Sequence, residues 1–132
     1  MAKYVYPAIF TKEDSGLYSI MFPDFKACFT QGEDVKNGMY MAADILTLTL
    51  CDMEDSKEEI PVSSNPHEIS FDKKSFISLV CADTLEYRKT YNKKAVKKTL
   101  TIPQWLDERA IKENINFSQT LQKALMEQLH IN

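Results

Sequence analysis

The sequence predicts an α+β protein in which an N-terminal β-β-β-α-β segment is followed by a C-terminal β-α-α segment. Three patterns predict it. Branched and aromatic residues cluster in short runs before Gly32, and apolar residues recur at helical spacing after it. The last forty residues alternate like a strand and then become helical. The 132 residues accommodate two small domains, which we predict at 1–90 and 91–132.

The first three predicted strands form an antiparallel meander. Residues 3–10 (KYVYPAIF) and 17–22 (LYSIMF) flank a polar turn that closes at Gly16. A third, shorter strand covers residues 27–30 (ACFT) and ends at Gln31-Gly32. The short links between these runs favour hairpin connections.

A helix is predicted from Glu33-Asp34 to near Cys51. Acidic residues suit its first turn because they complement the exposed amides there. Its apolar positions follow a single face, which we expect to cover the sheet. Residues 52–67 are predicted as a loop, residues 75–82 (SFISLVCA) as a strand buried on both faces, and residues 83–94 as a hinge with helical turns.

The C-terminal segment gives the clearest pattern. Residues 96–102 alternate between apolar and polar side chains, and Pro103 then suits the first turn of a helix that runs to about Glu113. Asn116, followed three residues later by Gln119, resembles a capping box for a second helix over residues 117–129.

One strand and two short helices cannot bury their own apolar surface, so this segment predicts a dimer with a two-stranded antiparallel ribbon. Such a ribbon fits the major groove of DNA, where Lys97, Thr99 and Thr101 would face the bases. The alternative is an edge strand with solvated charges. The apolar side chains predicted to form the dimer core are Val96, Leu100, Ile102, Trp105, Leu106, Leu121 and Leu125.

Charge is distributed unevenly along the chain. Residues 1–92 contain 9 Lys/Arg and 15 Asp/Glu, a net of −6, whereas residues 93–132 contain 7 and 4, a net of +3. An acidic body joined to a basic segment indicates two surfaces with two kinds of partner.

Several function classes lack support in the sequence. The three cysteines are widely spaced, and neither His67 nor His130 has a partner at metal-ligand spacing, so we expect no metal and no cofactor. No apolar run is long enough for a membrane span or a signal peptide, which predicts a cytoplasmic protein. A nuclease that uses two metal ions would need clustered carboxylates, and no spacing marks such a cluster. We therefore do not expect an enzyme.

Residues 97–110 (KKTLTIPQWLDERA) and 114–125 (NINFSQTLQKAL) resemble the ribbon–helix–helix family of transcription factors. The resemblance implies that Lys97, Thr99 and Thr101 read bases. It also implies that the start of the second helix, at Asn116, Phe117 and Ser118, anchors a phosphate, as free helix amides can. Lys93 and Lys94 are candidates for further phosphate contacts.

Residues 6–46 are similar to the HicB antitoxin family, through Tyr6-Pro7-Ala8, Gly16-Leu17-Tyr18, Phe22-Pro23-Asp24 and residues 28–32 (CFTQG). The resemblance implies a truncated ribonuclease-H-like domain. It also implies a partner, a small basic HicA-like toxin that cleaves mRNA with a histidine, and a homodimer or higher oligomer that binds operator DNA. An acidic surface could cover a basic RNA-binding toxin. The candidate residues are Asp24, Glu33, Asp52, Glu54, Asp55, Glu58 and Glu59.

Two other functions stay open from the sequence. One is a ribbon–helix–helix repressor whose N-terminal domain senses a small ligand, and the other is a ribonuclease-H-like nuclease. A short, basic neighbouring reading frame of about 60–80 residues, as the resemblance implies, would favour the antitoxin, and its absence would favour the ligand sensor.

Overall fold

The computed structural model describes residues 2–132. The chain divides into two compact units, of which the first ends at Lys94 and the second comprises Ala95–Asn132. The predicted boundary lay four residues earlier, after residue 90. It falls later because the segment predicted as a hinge contains a helix that belongs to the first unit.

The first unit is a four-stranded sheet with helices, which confirms the predicted mixture of α and β structure. Its strands are β1 (Lys3–Lys12), β2 (Tyr18–Met21), β3 (Phe29–Gly32) and β4 (Ser75–Asp83). They lie in the order β3-β2-β1-β4, and every neighbouring pair is antiparallel. The predicted meander is therefore present, and the fourth strand pairs with the first.

One face of this sheet is covered, and the other is open. Side chains at even positions of β1 and β4, such as Phe10 and Val80, are buried in the core. Side chains at odd positions lie on the opposite face, which we call the open face because Leu79 is 52% exposed and Cys81 is also exposed, although Pro7 on this face is buried. The prediction that β4 is buried on both faces was wrong, because its continuous apolar run serves a core on one side only.

The hydrogen-bond pattern between β1 and β4 explains how β1 accommodates Pro7. The amide of Lys12 donates to the carbonyl of Lys74 (3.0 Å), and the amide of Thr84 donates to the carbonyl of Ala2 (3.0 Å). Even-numbered residues therefore form the hydrogen-bonded pairs of this ladder, since such pairs alternate along antiparallel strands. Pro7, opposite Leu79, lies at a position where no amide is required toward β4.

The sheet is covered by helix α1 (Val35–Asp55), which begins where predicted and extends four residues beyond Cys51. The Asp34 side chain caps its N-terminus by accepting from the amide of Asn37 (2.7 Å). Ala42, Leu46 and Leu50 are fully buried against the sheet. The predicted loop over 52–67 was therefore wrong at its start, because helical structure continues through Asp55.

A close approach of backbones joins β3 to α1. A Cβ atom on Gly32 would lie 2.4 Å from the Cα of Gly38. No side chain fits between the strand and the helix at this point, so glycine is required here for packing.

The segment between α1 and β4 is irregular except for a short 3₁₀ helix, Pro66–Glu68. Side-chain hydrogen bonds hold it to β1 and to the loop between β2 and β3. The Tyr6 hydroxyl donates to the carbonyl of Pro61, and the Asp24 carboxylate accepts from the amide of Ser64 (3.1 Å) and from its hydroxyl. Helix α2 (Thr84–Tyr91) follows β4 directly and occupies most of the segment that was predicted as a hinge with helical turns.

The second unit contains helices α3 (Gln104–Lys112) and α4 (Phe117–Gln128). Asn114, with a φ of 55°, ends α3 in the left-handed conformation, as is common after a helix. Residues 96–102 adopt neither helix nor strand, which departs from the predicted strand. A strand requires a partner for its backbone hydrogen bonds, and a single copy of this segment offers none.

Candidate functional sites

A buried ionic cluster joins the end of α1 to α2. The Glu54 carboxylate accepts hydrogen bonds from the Tyr4 hydroxyl (2.9 Å), the Thr84 hydroxyl (3.0 Å) and Nη2 of Arg88 (3.1 Å). Its side chain is 11% exposed, and that of Arg88 is 14% exposed. Glu54 was predicted to contact a toxin; its carboxylate is directed into the protein and accepts hydrogen bonds there, so we do not include it in the proposed toxin-binding surface.

These contacts control ionisation in the cluster. Burial disfavours the charged form of Glu54, but the hydrogen bonds it accepts, among them those from Tyr4, Arg88 and Thr84, outweigh burial and lower its pKa from 4.5 to about 2. Burial, together with the hydrogen bond to Glu54, raises the pKa of Tyr4 to about 12. The cluster therefore holds a carboxylate and a neutral phenol across the ordinary range of pH.

Arg88 also compensates an unfavourable arrangement of charge at the end of α1. The last turn of this helix carries no basic residue, although a helix C-terminus favours cations. Nη2 of Arg88 donates to the carbonyl of Cys51 (3.2 Å), and Nη1 lies 3.0 Å from a carboxylate oxygen of Asp55. Helix α2 thus supplies from outside the positive charge that α1 lacks.

The other candidate acidic residues do not form one surface. Asp52, Glu58 and Glu59 are exposed around the C-terminal end of α1, and Asp55 is 67% exposed despite its contact with Arg88. Glu33 is exposed just before the other end of this helix, about 30 Å away for 21 residues. Asp24 is half-buried and held by Ser64. The acidic cluster, defined here as Asp52, Asp55, Glu58 and Glu59, is the group that the structure brings together.

The second unit exposes the apolar side chains that the sequence assigned to a dimer core. Neither α3 nor α4 contains a buried residue. Trp105 is 66% exposed and Leu125 is 51% exposed, so these helices lack a complete core within one copy of the unit. The remaining predicted core residues are exposed or half-buried, namely Val96, Leu100, Ile102, Leu106 and Leu121.

The predicted DNA-contacting residues of this part of the chain are all accessible. Lys97, Thr99 and Thr101 are exposed in the extended segment before α3, and Lys93 and Lys94 are exposed at the end of the first unit. At the start of α4, the Asn116 side chain accepts from the amide of Gln119 (3.0 Å), as the capping-box pattern predicted. Phe117 and Ser118 follow it and are also exposed.

The roles of Tyr4, Thr84 and Arg88 were not predicted from the sequence. Their positions in the chain carry no motif, because the cluster is assembled from the first strand, the end of α1 and the start of α2. One signal was available. Asp52, Glu54 and Asp55 lie close together near a predicted helix end, where acidic charge is unfavourable, and this placement calls for a nearby cation.

Within residues 2–132, no three His, Cys, Asp or Glu side chains are grouped so that they could hold a metal ion. None of the helices in this range combines the length and the apolar character that crossing a membrane requires.

The architecture is that of a small α+β protein in which a sheet-and-helix unit is followed by a second unit with a pair of short helices. Residues 5–73 match the family described as HicB-like antitoxin of bacterial toxin–antitoxin systems. The match covers more than half of the chain. The protein therefore belongs to the HicB-like antitoxin family.

Solved structures agree with this assignment. A chain of a toxin–antitoxin complex from Streptococcus pneumoniae is 33% identical, with a TM-score of 0.61 over 96% of this chain and 99% of that chain. Antitoxin HicB from Burkholderia pseudomallei has the same fold, with 17% identity and a TM-score of 0.56 over 96% and 98% of the two chains. A chain of the HicA3–HicB3 toxin–antitoxin complex covers 61% of this chain and 99% of its own length, with 20% identity and a TM-score of 0.51. No curated protein matches the chain.

Proposed function

We propose that this antitoxin neutralises a small, basic, mRNA-cleaving toxin of the HicA type through its first unit and represses its own operon through its second. The observation that carries the proposal is the division of the chain into an acidic unit with its own core and a unit whose apolar helix faces lack a partner. The family membership and the toxin–antitoxin complexes among the similar structures support a toxin as the first partner.

The first unit offers the acidic cluster for electrostatic recognition of the toxin. The cluster includes three exposed residues, Asp52, Glu58 and Glu59. Their carboxylates can pair with basic residues of an RNA-binding surface without first breaking contacts within the antitoxin. We propose that this unit keeps the form of a truncated ribonuclease-H-like domain that has a binding role and no catalytic role. The Glu54–Arg88 pair then fixes the end of α1 from which the cluster projects.

The second unit supplies DNA binding as a dimer. In the proposed ribbon–helix–helix arrangement, residues 96–102 of two copies pair antiparallel, and the side chains of Leu100, Trp105 and Leu125 become buried between them. The exposed fractions of these three side chains, 63%, 66% and 51%, support the proposal, because a stable isolated unit would bury such groups. Lys97, Thr99 and Thr101 would then project from the ribbon into the major groove.

Co-expression with the short basic reading frame beside the gene tests the proposal. The full chain should co-purify with that product, and the complex should bind the promoter DNA. Reversing two charges of the acidic cluster, in the variant E58K/E59K, should weaken toxin binding, whereas E33K at the far end of α1 should not. Equal toxin binding by the parent chain and E58K/E59K would contradict this placement of the interface.

A further inference from the structure

The outer edge of β4 is long and unprotected. This strand is the last on its side of the sheet and pairs only with β1, in an uninterrupted register from Ser75 to Asp83. Proteins usually protect exposed edges with charges, prolines, bulges or very short strands. β4 has nine residues without proline, and Asp83 at its end is its only charged residue. The opposite edge, β3, is only four residues long.

The free backbone groups of this edge can be assigned from the ladder. Even-numbered residues of β4 hydrogen-bond to β1, so the amides and carbonyls of Ile77, Leu79 and Cys81 face outward. No backbone group within residues 2–132 pairs with them. The carbonyl of Leu79 receives only a 3.4 Å contact from the hydroxyl of Ser78. The edge thus presents an almost unused row of donors and acceptors.

We propose that β4 pairs antiparallel with β4 of a second copy of this chain, about a two-fold axis at Leu79. Leu79 is the central residue of Ser75–Asp83, so this register engages the whole strand. The outward-facing groups of Leu79 then meet those of Leu79 in the other copy, and Ile77 meets Cys81. Asp83 lies opposite Ser75, so the only charged residues of the two strands do not face each other.

The side chains of this edge favour a copy of the same strand over a charged partner. Residues 75–82 (SFISLVCA) carry no charge that could select a basic or acidic strand. Ile77, Leu79 and Cys81 lie on the open face of the sheet, and Leu79 is 52% exposed. Pairing would therefore place the apolar side chains of the two β4 strands next to each other on one face of a joined sheet, and it would shield Leu79 from water. This contact is separate from the proposed ribbon, since it involves only residues of the first unit.

Disulfide trapping in the full-length chain tests the proposal. In a hydrogen-bonded antiparallel pair, the Cα atoms lie about 5.5 Å apart, within the range that a disulfide bridges. The variant L79C, in a C81S background, should form a covalent dimer under mild oxidation at micromolar concentration. The matched control is V5C in the same background, because Val5 lies on the same open face and is 46% exposed, but belongs to the inner strand β1. Circular dichroism and thermal unfolding would verify that both variants are folded.

The proposal predicts a majority of covalent dimer for L79C and almost none for V5C. In the parent chain, Cys81 should not cross-link to Cys81 of another copy, because each lies opposite Ile77. Absence of the L79C dimer, equal cross-linking of V5C, or efficient cross-linking through native Cys81 would overturn it. A further result would also overturn it: L79K fails to co-purify with the toxin, and L79C does not cross-link to itself. The toxin, and not a second copy, would then occupy the edge of β4. Operator binding depends on the proposed ribbon of the second unit. Measuring it separately therefore distinguishes a failure of the DNA-binding proposal from a failure of the β4–β4 pairing.

Discussion

Nη2 of Arg88 lies 3.1 Å from Oε1 of Glu54, and this contact ties α2 to the end of α1. Both side chains are largely buried, and the same guanidinium reaches Cys51 and Asp55. Arg88 is not part of the acidic cluster that we assign to toxin binding, but it fixes the end of α1 that carries the cluster.

Replacement of Arg88 by alanine should destabilise the first unit by about 3 kcal/mol, because it removes a guanidinium that is paired with the largely buried Glu54 carboxylate. Urea denaturation of the full chain measures this change. The control is K89A, since the pair between Lys89 and Glu86 is solvent-exposed and should contribute less than about 0.5 kcal/mol. Equal urea midpoints for R88A and K89A would refute the structural role of the cluster.

Acid should weaken the fold through Glu54. Its pKa falls from 4.5 to about 2 on folding, so the unfolded chain binds a proton at this residue before the folded chain does. The resulting stabilisation is fully present above about pH 5 and is lost as the pH falls toward 2. It amounts to roughly 3 kcal/mol at about 1.36 kcal/mol per pKa unit.

Free energies of unfolding measured between pH 7 and pH 2 would reveal this loss. The variant E54Q should be less stable at neutral pH and should lose less stability on acidification than the parent. The variant E58Q, which removes an exposed carboxylate, should follow the parent curve. If E54Q and the parent lose stability in parallel, Glu54 does not hold the lowered pKa.

Alanine substitutions at Gly32 and Gly38 should reduce the stability of the first unit by different amounts. G32A should destabilise the first unit by about 3 kcal/mol, because the new Cβ would meet the backbone of Gly38 at 2.4 Å. G38A should cost much less. Its Cβ would meet the ends of the Ile20 and Phe10 side chains at 3.1 and 3.2 Å, and alanine favours the helix by about 1 kcal/mol. Thermal unfolding of both variants would show the order, and a greater loss for G38A would contradict this packing.

Substitutions in the second unit should affect base recognition and dimerisation separately. T99A and T101A should leave the dimer intact and reduce the preference for the operator's bases by about 1–3 kcal/mol. K93A and K94A should weaken binding to all sequences and flatten its salt dependence, if they contact phosphates. L100A should instead reduce dimerisation by roughly 2–5 kcal/mol if the ribbon buries this side chain. Operator binding at several salt concentrations and sedimentation would distinguish these effects, and parental specificity in dimeric T99A and T101A would exclude the strand as the reader.

The sequence predicted those parts of the fold that depend on local pattern. The strands, α1 and the two C-terminal helices follow from periodicity, and Asn116 caps α4 as its spacing indicated. Contacts between distant segments could not be predicted in this way. Glu54 looks like any other member of an acidic run, and only its approach to Tyr4 and Arg88 distinguishes it from its exposed neighbours. Likewise, the apolar run of β4 does not reveal that one face remains open, because periodicity alone cannot distinguish one covered face from two.

Growth rescue and toxin binding by residues 1–94 alone test the central claim most directly, namely that the two functions belong to two separate units. The fragment should fold, bind the purified toxin with an affinity close to that of the full chain, and restore growth of cells that express the toxin. It should at the same time lose binding to the promoter DNA. A fragment that is folded by circular dichroism but neither binds the toxin nor rescues growth would contradict the account and would place the toxin interface in the C-terminal unit.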